Sequence, residues 1–425
     1  MNETNNSWYQ HSANWKTQFP QLTENKTVDV CVIGAGITGL TTALNLAEQG
    51  LRVCILESEH VGFGASGRSG GQMIFGFAAE QPTIENLVGK NNAKIIWDCG
   101  LDGLNLTRSR IEKHKIDCDY VAGQANLALK PRQEKDLRHW QESLEKDYGY
   151  QTLEFWDKQK TREEVNSEKY IAGLYDSNSA HLHPLNYTLG LAKAAQEAGV
   201  EIFEYSPVTQ LKKGNPAVVK TPKGDITASF VVLAGNAYLP ELGVGLRNKV
   251  MPVGTYICAS EPLGEEKCRE LITNNYGICD INFVLDYYRC SSDFRMLFGG
   301  RVSYSTLEPA NLKNTMRKRM IDVFPQLNDV KIDFAWGGYV AITMNRAPHF
   351  GRVTKNIYFA QGFSGHGIAA TGLAGKLMAD AITGTADKFD VFGKIPHMSF
   401  PGGRMFRTPA LVLAMAWFRM KDMLP

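Results

Sequence analysis

The segment Val28 to Glu57, VDVCVIGAGITGLTTALNLAEQGLRVCILE, constrains what this chain can fold into more than any other stretch. Val28 to Ile33 is an almost wholly apolar, β-branched run, the pattern of a buried strand. Gly34-x-Gly36-x-x-Gly39 follows, then a periodic helix to about Gln49 and a second strand, Leu51 to Leu56, that ends at Glu57. Each glycine has its own role at this spacing. Gly34 permits the tight turn, Gly36 admits a pyrophosphate against the backbone, and Gly39 lets helix and strand pack closely. The helix N-terminus offers unpaired N–H groups and a positive dipole end to the phosphates. Glu57 stands where an acid accepts from an adenosine ribose hydroxyl. Strand, glycines, helix, second strand and terminal acid in this order predict dinucleotide binding, which a glycine turn alone would not.

The surroundings of this unit are those of a globular protein. With 425 residues, 44% hydrophobic and 21% charged, the chain can bury substantial cores and divide into two or three domains. A formal charge of +2 is too balanced for a nucleic-acid surface. The eight cysteines form no CxxC pair and no dense framework, so they read as reduced thiols of a cytoplasmic protein, and no metal site is expected. No basic leader with an apolar stretch precedes Val28, and no run reaches the roughly 20 apolar residues of a membrane-spanning helix. The apolar run Ala410 to Phe418 starts after Thr408-Pro409, a good cap and first helical residue, and meets Arg419, Lys421 and Asp422. It predicts a helix docked on the body, with an interfacial membrane helix as the alternative. Trp8, Tyr9, Trp15 and Phe19 make residues 1–25 an extended arm lying over that body.

Beyond Glu57, the glycine-dense loop Gly62 to Gln72 demands unusual torsions or close approach by another surface. Helices are expected at Ile95 to Ile111 and Glu134 to Asp147, with strand character at Asp119 to Leu129. An extended segment from Leu174 turns at His183-Pro184, and a helix from Tyr187 to Glu197 and a strand from Glu201 to Tyr205 follow. Phe230 to Ala234 is another buried strand, with Pro207, Val208, Ala234 and Gly235 near the nucleotide end. Strands are expected at Met251 to Ser260, Phe283 to Cys290 and Arg295 to Gly300, with a helix at Leu307 to Val323. Tyr256, Tyr287 and Tyr288 crowd this region, and strand alternation sends Tyr287 and Tyr288 to opposite faces, so at most one of the two faces a common pocket. The chain closes with Gly362-Phe-Ser-Gly365-His366-Gly367 and a helix to Ile382, whose glycine-rich start presents backbone donors and a positive dipole end.

Taken together, Gly34 to Glu57, Gly64-Ala-Ser-Gly-Arg-Ser-Gly-Gly71, His183-Pro184, Trp336-Gly-Gly338, Asn345-Arg346-x-Pro348, Gly362 to Gly367 and the Trp-Phe-Arg-Met-Lys-Asp tail resemble the D-amino acid oxidase-like flavoproteins, in particular the gamma-glutamylputrescine oxidoreductases. The resemblance spans roughly residues 7 to 424. It implies tightly held FAD and an α/β plus α+β fold, a Rossmann-like FAD-binding domain with a discontinuous mixed-sheet substrate domain. The expected division is an arm at 1–25, FAD binding at 26–90, 170–245 and 335–390, substrate binding at 91–169 and 246–334, and a docking segment at 391–425.

The resemblance also implies oxidation of the primary amine of gamma-glutamylputrescine to the aldehyde, with ammonia and hydrogen peroxide released and dioxygen as electron acceptor. Oxidation or dehydrogenation of another amine or amino acid, and flavin binding without turnover, are the alternatives, and the oligomeric state is left open. Gly34, Gly36, Gly39, Glu57, Val208 and Gly235 are expected at the nucleotide end. Ser66, Arg68, Gly70, Gly71, Gln72, Gly362, Gly365, His366 and Gly367 are expected toward the flavin ring. His366, Arg346, His183 and Tyr287 are the catalytic candidates. Glycine-oxidase-like relatives offer an arginine to the substrate carboxylate where this chain has Val340, and valine cannot make that bidentate pair. That departure disfavours a simple amino acid as substrate.

Overall fold

The computed structural model describes residues 7–242, 244–303 and 311–401. The apolar strand Lys26–Ile33 sits inside the first of two sheets, with edge-to-edge order His349–Thr354, Ile357–Gln361, Asp225–Leu233, Lys26–Ile33, Val53–Leu56 and Glu201–Phe203. Both neighbours of Lys26–Ile33 run parallel to it, so Ile33, Leu56 and Leu233 end along one edge. In open α/β sheets that carboxyl edge is where ligands bind. Two backbone bonds fasten it: Gly34 N–H donates to Leu56 O at 2.9 Å and Ala234 N–H to Ile33 O at 2.8 Å. Gln210–Lys212 and Ala217–Lys220 extend the sheet as an antiparallel flap.

The helix after the glycine turn, Ile37–Ala47, is buried from Ile37 to Leu46 and crosses the helix Gly367–Ile382. Their approach is set by small residues: a Cβ on Gly375 would lie 2.6 Å from Thr38 O and 2.9 Å from Thr42 N. The backbones therefore pack together where any side chain would separate them.

The second sheet runs Ile332–Ile342, Met251–Ser260, Met296–Ser303, Tyr287–Cys290, Gly277–Asp280, Val121–Ala128, Ala172–His181 and Gln72–Met73, with Leu153–Trp156 paired to Ala172–His181. It is mixed, because Gly277–Asp280 runs parallel to Val121–Ala128 while other pairs are antiparallel. All three segments assigned by sequence to the nucleotide-binding portion carry strands of this other sheet, Gln72–Met73 being the one from 26–90. Ala172–His181 pairs along Val121–Ala128, and Ile332–Ile342 pairs along Met251–Ser260. Partner choice over such sequence distances is not encoded in a local apolar pattern.

The helices Lys90–Lys113 and Pro131–Tyr148 correspond to the two expected amphipathic stretches, and Leu312–Val323 falls within the helix expected at Leu307 to Val323, whose first four residues lie outside the described ones. The N-terminal segment differs from the expected arm. Trp8 and Tyr9 are 0% exposed, on the short helix Trp8–His11, and do not lie over a finished surface. Trp8 Nε1 donates to Asp293 Oδ2 at 3.1 Å, and the Tyr9 ring meets His183 and Trp336 edge-on at 4.9 and 5.2 Å. Trp15 and Phe19 are only partly buried. No helix among the described residues is long and apolar enough to cross a membrane. The helix expected from Ala410 lies outside the described residues.

Candidate active site

A cavity of about 1220 Å³ begins at the carboxyl edge of the first sheet and runs to the face of the second. Small-ligand pockets are commonly about 300–1,000 Å³, so this one has room for a dinucleotide and a further molecule.

At the nucleotide end the sequence motif becomes geometry. Gly34 has φ +110°, and a Cβ there would lie 2.9 Å from Ala234 O. Gly36 caps Ile37–Ala47 without a side chain, and a Cβ on it would meet Ser66 Oγ at 2.8 Å. Ser66 Oγ in turn accepts from Ile37 N–H at 3.0 Å, so the glycine loop and the helix start form one wall. Glu57 Oε2 accepts from Ala35 N–H at 2.8 Å and Oε1 from Glu59 N–H at 3.0 Å. Ser58 Oγ also donates to Oε1 at 3.2 Å, and since a carboxylate has about four acceptor positions, these three bonds fix its direction and leave capacity for a ribose hydroxyl. Val208 and Gly235 also line this end. Backbone without side chains at the turn, a helix N-terminus and an anchored acid together fit the ribose and pyrophosphate of a dinucleotide.

Two of the expected cofactor glycines stand behind the wall. A Cβ on Gly39 would be 1.9 Å from Gly34 O, so this glycine serves helix–strand packing. Gly362 has φ +75°, donates its N–H to Asn236 Oδ1 at 2.9 Å, and holds the turn that precedes the lining residues Gly365, His366 and Gly367.

Farther along, Arg68, Gly70, Gly71 and Gln72 line the cavity. Arg68 Nε donates to Phe63 O at 2.6 Å and Nη1 to Gly337 O at 3.2 Å, while Trp336 Nε1 donates to Arg68 O at 3.0 Å. The loop is thus tied to the strand that carries Trp336-Gly-Gly338. Behind Gly70, the buried Arg289 donates to Gly70 O at 3.0 Å and Leu182 O at 2.9 Å, and to Tyr9 OH at 3.3 Å. One guanidinium therefore joins the N-terminal aromatics to the loop.

The four catalytic candidates separate. Tyr287 lines the cavity, whereas Tyr288 lies in the second sheet's other core with Phe298 and Phe324, as strand alternation requires. Tyr256 belongs to that same core and does not line the cavity. Burial pushes the Tyr287 phenol far above its ordinary range, which keeps it a neutral donor. His366 lines the cavity, and burial followed by nearby Arg346 pulls its imidazole down to about 4, so it is uncharged at neutral pH. Arg346 lines the cavity with its guanidinium 5.0 Å from the Phe283 ring centre. His183 is elsewhere. It caps the helix Pro184–Glu197, its Nδ1 accepting from Asn186 N–H at 3.0 Å and its Nε2 3.0 Å from Ser12 Oγ. Both ring nitrogens are engaged away from the cavity, so His183 positions a helix.

The wall also contains residues that the sequence did not single out. Asn126 and Cys279 stand in one row with the candidate Tyr287 across adjacent strands, since Cys279 pairs with both Asn126 and Tyr287. Phe283, Trp140 and Tyr148 line the cavity as well. Their signal lies in strand pairing and helix placement, which become readable only once the second sheet is assembled. Val340 does line the cavity, beside Gly338 and opposite Val253.

Comparison with known proteins gives this geometry its relatives. The family model described as FAD dependent oxidoreductase matches residues 29–381. A probable oxidoreductase, OrdL, of Haemophilus influenzae is 44% identical over 98% of this chain and 97% of that protein. The gamma-glutamylputrescine oxidoreductase of Escherichia coli is 41% identical over the full length of both chains. Among solved structures, glycine oxidase from Bacillus cereus superposes with a TM-score of 0.71 at 22% identity, over 88% of this chain and 99% of that one. The structural likeness concerns the fold, and the family match spans both the nucleotide turn and the glycine-rich loop at Gly365. The chain belongs to the FAD-dependent oxidoreductase family.

Proposed function

We propose that this chain oxidises the primary amine of gamma-glutamylputrescine to the corresponding aldehyde, releasing ammonia and passing electrons to dioxygen with formation of hydrogen peroxide, in the cytoplasm. The observation that carries this reading is full-length likeness to the Escherichia coli gamma-glutamylputrescine oxidoreductase. Val340 supports it: the wall where glycine-oxidase-like relatives offer arginine here exposes an aliphatic side chain to the cavity. An elongated amine needs such an apolar corridor more than a clamp beside the reacting carbon.

FAD, when bound, supplies the two-electron acceptor for the amine's α-carbon. Gly34, Gly36, Ser66 and Glu57 would hold its nucleotide portion, and Arg68, Gly70, Gly71, Gln72, Gly365 and Gly367 would adjoin its ring. The protein's own contribution is to bind the amine uncharged and hold its carbon in line. Burial favours the neutral amine over the ammonium, and His366 and Tyr287 on the cavity wall are themselves uncharged. No residue need act as base once the amine has lost its proton. The helix Gly367–Ile382 points its N-terminus at the cavity, where its dipole favours negative charge gained on reduction. Hydrolysis of the resulting imine requires only water.

Anaerobic bleaching of the bound flavin tests the reading across gamma-glutamylputrescine, putrescine, glycine, sarcosine and D-alanine. The expected order has gamma-glutamylputrescine fastest. Faster reduction by a simple amino acid would overturn it.

A further inference from the structure

We propose that Arg346 is the receptor for the substrate's carboxylate, at the end of the molecule remote from the oxidised amine. The inference rests on the function proposed above and specifies how the acidic tail is recognised.

Two residues with permanently charged side chains of positive sign, Arg68 and Arg346, line the cavity among the described residues. Arg68 is already committed to the carbonyls of Phe63 and Gly337. Arg346 is not: among the described residues it has no ion pair within 4.0 Å, and its Nε is buried without a hydrogen-bond partner. A guanidinium carries five donors in a rigid fork, and a buried donor left unmatched is costly. Its placement is also deliberate in backbone terms. Arg346 has φ +60°, a region that non-glycine residues occupy rarely and at a cost. The loop holds it there: Arg346 N–H donates to Thr343 O at 3.1 Å, Ala347 N–H to Asn345 Oδ1 at 3.1 Å, and Asn345 Nδ2 to Pro396 O at 2.8 Å. The Phe283 face, 5.0 Å from the guanidinium carbon, supports the charge without using its N–H groups.

An unpaired fork fixed in this way on a cavity wall matches the two oxygens of a carboxylate. Burial lowers the guanidinium's proton affinity, the Glu80 carboxylate on the same cavity wall offsets part of that, and an arriving anion relieves more of the penalty. The absence of a cation at Val340 then has a counterpart: the carboxylate is read six residues later along the chain, leaving the wall at Val340 to the aliphatic part of the substrate.

The test separates recognition from turnover by using ligands without the reacting amine. Gamma-glutamyl-n-butylamide carries the carboxylate, and 4-aminobutanoyl-n-butylamide is the same molecule without it. Each is titrated into the FAD-loaded protein and into Arg346→Met and Arg346→Lys, with perturbation of the flavin spectrum as readout and FAD content and thermal midpoint as folding controls. Loss of a charge-assisted contact predicts about ten- to a hundredfold weaker binding of the carboxylate ligand to Arg346→Met. The ligand without the carboxylate should bind wild type and variant within about twofold of each other, and Arg346→Lys should recover part of the difference. Equal losses for both ligands, or a wild type indifferent to the carboxylate, overturn the proposal. Failure of gamma-glutamylputrescine to bleach the wild-type flavin would overturn the proposed function, while this titration still reads Arg346 by itself.

Discussion

Gly36 illustrates what one position contributes. Its Cβ would stand 2.8 Å from Ser66 Oγ, on the wall where the pyrophosphate is expected, so Gly36→Ala must displace the serine or occupy ligand space. Overpacking of this kind costs about 1–3 kcal/mol. The expected outcome is FAD retention weakened roughly tenfold or more, measured by flavin lost on ultrafiltration. Unchanged retention would mean that Gly36 is only a turn residue. This position was readable from sequence because its role depends on a turn and a helix start within a few residues of it. Gly362 shows the reverse: a glycine beside a binding loop has the same local pattern whether it faces a ligand or stands behind the wall, and here a Cβ would lie 2.4 Å from Thr343 Cγ2. Asn126 gave no signal, because the strand pairing that brings it beside Cys279 bridges about 150 residues of intervening chain.

Among elements, the helix Trp8–His11 departs furthest from its expected role. Four residues cannot be stable alone, since helix nucleation is unfavourable. Ser7 starts it by accepting from Gln10 N–H at 3.2 Å, and burial of its first two rings keeps it. Those rings contact the cap His183 and, through Tyr9 OH, the Arg289 that supports Gly70. The element thereby links the first residues to the ligand loop. Trp8→Ala is expected to cost about 3–5 kcal/mol, the usual penalty for deleting a buried tryptophan, and to lower the temperature of FAD release followed by flavin fluorescence. An arm merely resting on the surface would leave that temperature almost unchanged. Sequence identified the aromatics but not their depth, since His183, Arg289 and Trp336 are supplied by distant strands and turns.

For the whole molecule, buried titratable groups on and beside the second sheet set opposing pH dependences. Burial, with Arg289 second, pulls His181 and His183 from 6.5 down to about 3. Each is neutral in the folded chain, while the unfolded chain takes up a proton below about 6.5. Their contribution is present in full above pH 6.5 and is lost as pH falls toward 3, at up to about 1.4 kcal/mol per pH unit for each histidine. Asp280 has the opposite sign. Burial, with Asp286 second, raises its carboxyl from 3.8 to about 7, so the fold retains a proton that the unfolded chain gives up. Its contribution is present below 3.8 and is lost as pH rises through about 7. Two histidines outweigh one carboxyl below 6.5, and only the carboxyl acts between 6.5 and 7, so stability should fall on acidification from about pH 6.5. Asp280→Asn should remove the loss between about pH 4 and 7 that the carboxyl causes, steepening the net rise over that interval. Denaturant unfolding of wild type and variant from pH 4.5 to 8 measures both curves. Wild-type stability that stays level from pH 6.5 to 4.5, or a variant curve parallel to wild type, would show that these groups are not held in the charge states the fold assigns them.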